Sequence, residues 1–349
     1  MAKENLKPAH IIVSTDIALG DDYAAAMAMC AFAAINPAIK LSFVGTYGDR
    51  SAREASANLA TEIPFLWKQL GQSDETCPQI YKGADRPDYS YTEYTIAPDG
   101  LERRIHGEFS PHPDMEKKQI KPVDELYKAL KKSQIPIALL SIGAPTEAAN
   151  ITEHAGSLIH QSVAMLGMIG IQGNVKPFVE ANASRDPVAN ERLLISSNKY
   201  NIPVTLVPLD CTEEKNLVIT PERLQYFKKQ LGAHSFGYKA LESIAGPESV
   251  YGKFYAQSVT NSLHFPYTQK PYSGAVLHDL TAAMVLIDKL QNETPRMFEY
   301  APHILVQPDM LGGIGNARNY MTPHYEVTIA GPTTLHYWPE VMKFISQLQ

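Results

Sequence analysis

Cysteine is scarce in this chain. Cys30, Cys77 and Cys211 are spread over 349 positions with no C-x-x-C pair, which excludes a disulfide scaffold and offers no zinc framework. Blocks of basic residues are also missing: 31 Lys and Arg stand against 37 Asp and Glu, for a formal net charge of −6. A nucleic-acid binder needs a basic face for the phosphates, so nucleic acid is not an expected partner. Clusters such as "EKKQIK" and "KALKKS" read as solvated helix faces. No apolar run reaches the ~20 residues of a membrane-spanning helix. The opening "MAKENLKPAH" has no apolar leader core, and the expected location is the cytoplasm, with no membrane partner.

What is present is the pattern of a layered protein. Short apolar runs ("HIIVS", "KLSFVGT", "IPIALLSIG", "SVAMLGMIG", "IPVTLVPLD") alternate with amphipathic stretches such as "SAREASANLATEIPFLWKQL", "VDELYKALKKS", "TEAANITEH" and "PVANERLLISSN". Near-continuous apolar strands separated by helices predict an α/β fold with a Rossmann-like, mostly parallel central sheet flanked by helices. After Asp210 the pattern turns helical ("TPERLQYFKKQLG", "ESVYGKFYAQSVTNSLHF", "HDLTAAMVLIDKL"), which predicts a helical cap near the C-terminal half. Two strand-like pieces, "HILVQP" and "HYEVTIAG", and a closing helix follow. Without a repeat or a flexible linker, residues 1–349 read as one domain. The segment from about Asp85 to Lys121, rich in Tyr, Pro, Asp and His, reads as a long functional loop.

The stretch "STDIALGDD" sets Asp16, Asp21 and Asp22 between the first strand and an alanine-rich helix. One aspartate there is readily explained as a helix cap. Three like charges repel unless a cation or substrate compensates them, and clustered carboxylates are the hard oxygen ligands that Ca²⁺ or Mg²⁺ takes. In open α/β sheets ligands gather beyond the carboxyl ends of the strands. Asp16, Asp49, Thr146, Asn174 and Asp210 each follow a predicted strand, so one crevice can collect them.

Further motifs accompany the aspartates in order: "IYKGADRP" (80–87), "IHGEF" (105–109), "LSIGAPTEAANI" (140–151), "GNVKPFVEANASRDP" (173–187), "LDCT" (209–212) and "LHDLTAA" (277–283). In this order and spacing, from roughly Ile11 to Asp288, the chain resembles the inosine–uridine-type nucleoside N-ribohydrolases. The resemblance implies cleavage of the N-glycosidic bond of a ribonucleoside to ribose and free base, a role in nucleoside salvage, and a homodimer or homotetramer. It implies a bound Ca²⁺ with Asp16, Asp22, Asp279 and the carbonyl of Thr146 as ligands, and Asp16 as general base. Asp21 then takes the ribose 2′-hydroxyl, and Asn174, Glu180 and Asn182 hold the 3′- and 5′-hydroxyls. His278 is the candidate general acid, with His106 near the base. Tyr251, Tyr255, Tyr267 and Tyr272 are each expected to pack rather than react, and His112 to be exposed.

Against the family signature D-x-D-P-G-x-D-D, this chain has Ser14 at the first Asp, Ile17-Ala18 in place of Pro-Gly, and one extra residue before the Asp pair. Asp49, where the family has Asn after Gly, puts a carboxylate near the sugar. These departures keep open two other readings: a relative that binds nucleoside or ribose without turnover, and a hydrolase for a modified nucleoside. A haloacid-dehalogenase-type phosphatase is disfavoured because "DIALG" lacks that family's D-x-D-x-T/V.

Overall fold

Residues Ala9–Thr15, AHIIVST, form strand β1, and every one of them is buried. Successive side chains alternate between faces. Ile11 and Val13 join one apolar core with the helix Asp21–Ile35, and Ile12 joins a second with Val44 and Leu139. A strand buried on both sides belongs at the centre of a parallel sheet, and β1 lies there.

The computed structural model describes residues 9–17, 20–87, 119–171, 173–174, 179–247, 249, 274–292, 295–308, 314–316 and 325–348. The other strands among these residues are β2 (Ile39–Gly45), β3 (Gln79–Lys82), β4 (Ile120–Pro122), β5 (Ile137–Ser141), β6 (Ile159–Ala164), β7 (Val204–Leu206), β8 (Phe298–Pro308), β9 (Ile314–Asn316) and β10 (Tyr325–Thr333). They form one 10-stranded sheet in the order β4-β3-β2-β1-β5-β6-β7-β10-β8-β9. The neighbours from β4 through β7 to β10 are parallel; β8 runs antiparallel to both β10 and β9. The expected mostly parallel sheet between helices is therefore present.

Three strands were not foreseen. These are β3, with four residues, and β4 and β9, with three each; β3 lies between β2 and β4 and meets β4 through Ile80 with Ile120 and Tyr81 with Lys121. β4 is an exposed edge whose Ile120 is 38% accessible, so it carries no hydrophobic alternation to read. Its residues close the segment expected to be a loop; the remainder of that segment from residue 88 to 118, with His106 and His112, lies outside the described residues. The expected helix in "ESVYGKFYAQSVTNSLHF" and the four tyrosines of that region do too, apart from the isolated Ser249.

From β1 the chain builds β2, β3 and β4 to one side, then returns to place β5 on the other. The reversal leaves a crevice at the carboxyl ends of β1 and β5, where Ser14 pairs with Ser141. Two helices begin at this end, Asp21–Ile35 and His278–Gln291, and both are buried along nearly their whole length. The alanines of the first permit that close packing. Helices Pro221–Leu231 and Phe236–Ala245 add Leu224, Phe227, Tyr238 and Leu241 to the same core, and the closing helix Tyr337–Ile345 sets Phe344 edge-on to Phe32 at 5.8 Å. No helix among the described residues is long and apolar enough to cross a membrane.

His10 on β1 is 3% exposed and its Nε2 meets Ser42 Oγ at 2.9 Å. Burial, helped by the Lys40 charge, pulls its pKa from 6.5 down to about 3. As the pH falls from 6.5 towards 3 the unfolded chain takes up a proton that the folded chain refuses, so stability falls with it. The urea midpoint should therefore drop less between pH 7.5 and pH 5 in a His10→Gln variant than in the parent; an equal drop in both would discount this account.

Candidate active site

The aspartate stretch follows β1 directly. Neither Asp21 nor Asp22 caps its own helix, whose N-cap is Gly20 without a side-chain bond. Asp22 Oδ1 instead accepts from the Thr15 hydroxyl at 2.6 Å, and Asp21 Oδ2 accepts from the Asp279 backbone N–H at 3.3 Å, across 258 positions of sequence. Asp21 thereby serves the open N-terminus of the other helix, His278–Gln291, whose N-cap Leu277 offers no side-chain bond. Two helix N-termini, each with a partial positive charge, converge on the same group of carboxylates.

Asp21, Asp22 and Asp279 are all buried, and one carboxylate oxygen from each lies within 4.8 Å of the others. Asp16 stands beside them. Burial raises its pKa well above the ordinary value, and repulsion from Asp22 and Asp49 raises it further. Asp279 is raised by burial and then by Asp21, Asp22 and Asp16. Carboxylates from the two ends of the chain thus share one water-poor space. Hard oxygen donors so close together fit a divalent cation of the Ca²⁺ or Mg²⁺ type. Of the expected ligands, Asp22 and Asp279 belong to the tight cluster; Asp21, expected at the sugar, belongs to it as well.

Asp16 is held by close backbone approach. Its Oδ2 accepts from the Asp49 N–H at 2.5 Å. A Cβ placed on Gly48 would come within 1.9 Å of that oxygen, and one on Gly143 within 2.8 Å of Oδ1. Only glycine leaves room on either side, which explains the glycines in "TYGD" and "SIGAP". Asn58 Nδ2 donates to the Ile17 carbonyl at 2.8 Å and steadies the chain just after the aspartate.

Thr146 opens the helix Thr146–Ala155. Its hydroxyl meets Tyr47 OH at 2.6 Å and donates to Asp186 Oδ2 at 2.7 Å. Asp186 also caps the helix Pro187–Lys199 by accepting from Ala189 N. Neither Tyr47 nor Asp186 was singled out from the sequence, although both lie in or beside quoted motifs. Glu147, likewise missed, is fully buried; it accepts from Ala84 N at 2.9 Å and from the Tyr127 hydroxyl. It secures the "KGADRP" motif behind the site.

On the neighbouring wall, Glu180 caps the short helix Ala181–Arg185. It accepts from Asn182 N at 2.8 Å, Ala183 N at 2.9 Å and Gly167 N at 3.2 Å. Burial nevertheless pushes its pKa up to about 7, against the pull of these amides and of Arg185. A carboxylate accepts about four hydrogen bonds, so one place remains among the described residues. Asn174 Oδ1 accepts from Ala181 N at 2.9 Å, and Asn182 Nδ2 donates to the Met165 carbonyl at 3.2 Å. Asp49 is ion-paired with Arg185 at 2.7 Å. His278 is half-buried, with Nδ1 at 2.7 Å from the Thr212 hydroxyl. Asp210 is occupied elsewhere: it binds the N–H groups of Ile169 and Gly170 at 2.7 and 2.6 Å and shapes the turn after β6. Ser14 is fully buried, and its hydroxyl has no hydrogen-bond partner among the described residues.

A mostly parallel sheet with an acidic, cation-fitting cluster at its switch point places the chain in the α/β class that binds its ligands beyond the strand ends. Residues 11–335 match the inosine-uridine preferring nucleoside hydrolase family, and the chain belongs to that family. No curated sequence matches it significantly. Its fold is that of a purine-preferring ribonucleoside hydrolase from Gardnerella vaginalis (22% identity, 97% of this chain and 98% of the other covered, TM-score 0.71). It is also that of the plant nucleoside hydrolase PpNRh1 (18% identity, 98% and 99% covered, TM-score 0.70). The type III effector protein XopQ, complexed with adenosine diphosphate ribose, shares the fold at 15% identity, with 98% and 93% covered and a TM-score of 0.62.

The acidic cluster makes a testable demand. Free aspartates ionise near 3.8, whereas Asp16 and Asp279 hold their protons to higher pH when folded. Without a cation, stability should therefore fall as the pH rises above about 4, and a bound cation should offset that loss. Melting temperatures in chelator and in millimolar Ca²⁺, compared at pH 5 and 7.5, should show a larger cation-induced rise at pH 7.5. No rise at either pH would remove the cation from the site.

Proposed function

We propose that this protein hydrolyses the N-glycosidic bond of ribonucleosides, releasing free base and ribose. The observation that supports this most is the meeting of Asp279 with Asp21, Asp22 and Asp16, which makes one acidic site from both ends of a chain in this family. Ca²⁺ is the proposed cofactor, held by these carboxylates with the Thr146 carbonyl; when bound it fixes two sugar hydroxyls and makes a water more acidic.

Asp16 is the general base. It is buried, it has a raised proton affinity, and its position is set by Gly48, Gly143 and the Asp49 amide. It takes the proton from the attacking water as the glycosidic bond breaks and the sugar passes through an oxocarbenium-like state. Asp21 takes a ribose hydroxyl through whatever capacity the Asp279 amide leaves. Glu180, with its remaining place, and Asn174 and Asn182 hold the 3′- and 5′-hydroxyls. Three bonds to backbone amides make Glu180 a rigid acceptor, which suits a group that must grip a sugar while its ring flattens.

His278 serves the departing base. As general acid the ring is protonated: Nδ1–H donates to the Thr212 hydroxyl oxygen, and the Nε2 proton passes to the leaving base, which returns the ring to neutral. His106 lies outside the described residues, and its place near the base stays part of the proposal.

A second reading is favoured by Ser14, which replaces an acidic residue of the family signature with a buried hydroxyl lacking a partner among the described residues. On that reading the chain binds a nucleoside or ribosyl ligand without turnover; the XopQ fold, described with adenosine diphosphate ribose, suits such a role.

Reducing-sugar release from a panel of purine, pyrimidine and modified nucleosides separates the two. Hydrolysis abolished by chelator and restored by Ca²⁺ is expected; saturable binding with no ribose from any substrate would favour the second. Asp16→Asn should lower kcat by about 10²–10⁴, the range for a general base. Thr212→Val should lower kcat for natural nucleosides about tenfold or more and spare p-nitrophenyl riboside, whose p-nitrophenolate leaving group needs no proton. Equal losses on both substrates would remove Thr212 and His278 from leaving-group protonation.

A further inference from the structure

Asp49 carries a carboxylate beside the buried, like-charged Asp16, yet its own N–H is the donor that holds Asp16 Oδ2. Left alone, the two negative charges would push the loop after β2 outward and withdraw that donor. The loop cannot compensate by packing elsewhere: Gly48 lies directly against the Asp16 carboxylate, and Gly48 N donates to Arg50 O at 2.9 Å in the tight turn that presents Asp49.

What opposes the repulsion comes from the other side of the sheet. Arg185 ends the helix Ala181–Arg185, and its Nη2 reaches Asp49 Oδ1 at 2.7 Å over 136 positions of sequence. The pair is largely shielded, with side-chain exposures of 10% for Arg185 and 22% for Asp49, so water screens it less than an exposed pair. The same helix carries Asn182 and is capped by Glu180. The residue that follows Arg185, Asp186, binds the Thr146 hydroxyl. One ion pair therefore ties the loop that orients Asp16 to the segment proposed to grip the sugar.

We propose that Arg185 and Asp49 act as a positioning pair, setting the Asp16 carboxylate in register with the Glu180–Asn182 sugar-binding segment. Neither residue touches reacting atoms in this role. The inference rests on the hydrolase reading above and adds to it a residue, Arg185, that no motif singled out.

The test is a double-mutant cycle on the full chain with Arg185→Met, Asp49→Asn and the double variant. Arg185→Met removes the ion pair with Asp49 and should lower kcat by about 10- to 100-fold, the usual loss when a supporting partner is removed, with little change in KM. In the double variant the Asp49 charge is gone as well, and most of the lost kcat should return, so the two substitutions are strongly non-additive. Losses that simply multiply would overturn the pairing. A loss confined to KM would make Arg185 a substrate contact instead.

Should Arg185→Met fail to fold, Arg185→Lys keeps the charge and is expected to retain more activity than Arg185→Ala; equal loss in both would count against the pair. Calorimetric titration with Ca²⁺ gives a readout independent of turnover: affinity should weaken in Arg185→Met and recover in the double variant. A parent protein that releases no ribose counts against the hydrolase reading alone. The pair is then judged by that titration, and an unchanged affinity in Arg185→Met would overturn it.

Discussion

The structure is organised around the repulsion among carboxylates that it buries together. Asp16, Asp21, Asp22 and Asp279 are each at most 6% exposed, in surroundings where unpaired charge is costly. Part of that cost is offset locally, by the Thr15 hydroxyl, the amides of Asp49 and Asp279, and the positive ends of two helices. The raised proton affinities of Asp16 and Asp279 show that the offset is incomplete. So many buried oxygen donors fit a divalent cation, and a well-packed core must hold them in place. The alanine-rich helix Asp21–Ile35 and the helix His278–Gln291, buried side by side, supply that core.

Topology decides which loops reach the site. Because the strand order reverses between β1 and β5, Asp16 and Thr146 enter the crevice from adjacent strands. The β2 loop adds Asp49 and Gly48, and the segment after β6 adds Glu180, Asn182 and Arg185. Most of these side chains first bind backbone: Glu180 three amides, Asp186 the start of a helix, Asn174 the Ala181 amide. Such bonds remove rotamer freedom before any ligand arrives, which is what preorganisation requires.

Relatives at 14–22% identity keep this fold over nearly their whole length, while this chain changes details of the acidic turn. Ser14 sits on the face of β1 that also carries Ile12, next to Ser141 on β5, and the hydroxyls of both lack partners among the described residues. A serine there leaves one negative charge fewer near a cluster that already repels itself. The Asp49 carboxylate adds a charge back, and Arg185 neutralises it.

Alternating apolar runs were enough to predict the parallel sheet, because burial on both faces leaves a mark that is local in sequence. The order of motifs was enough to identify the family, and the unusual density of Asp16, Asp21 and Asp22 to locate its acidic site. Short edge strands such as β4 left no such mark, since an exposed three-residue strand has no hydrophobic alternation. Contacts made across the sheet were equally invisible: that Asp21 caps the helix of Asp279, that Thr146 is held by Tyr47 and Asp186, and that Arg185 neutralises Asp49. Each joins residues tens to hundreds of positions apart through one hydrogen bond or charge pair, and only the folded chain brings their atoms within reach. The sequence by itself determined which chemistry was available; the tertiary structure decided which carboxylates share a space and which are already spoken for, because Coulomb repulsion and hydrogen bonding depend on distance and burial rather than on spacing along the chain.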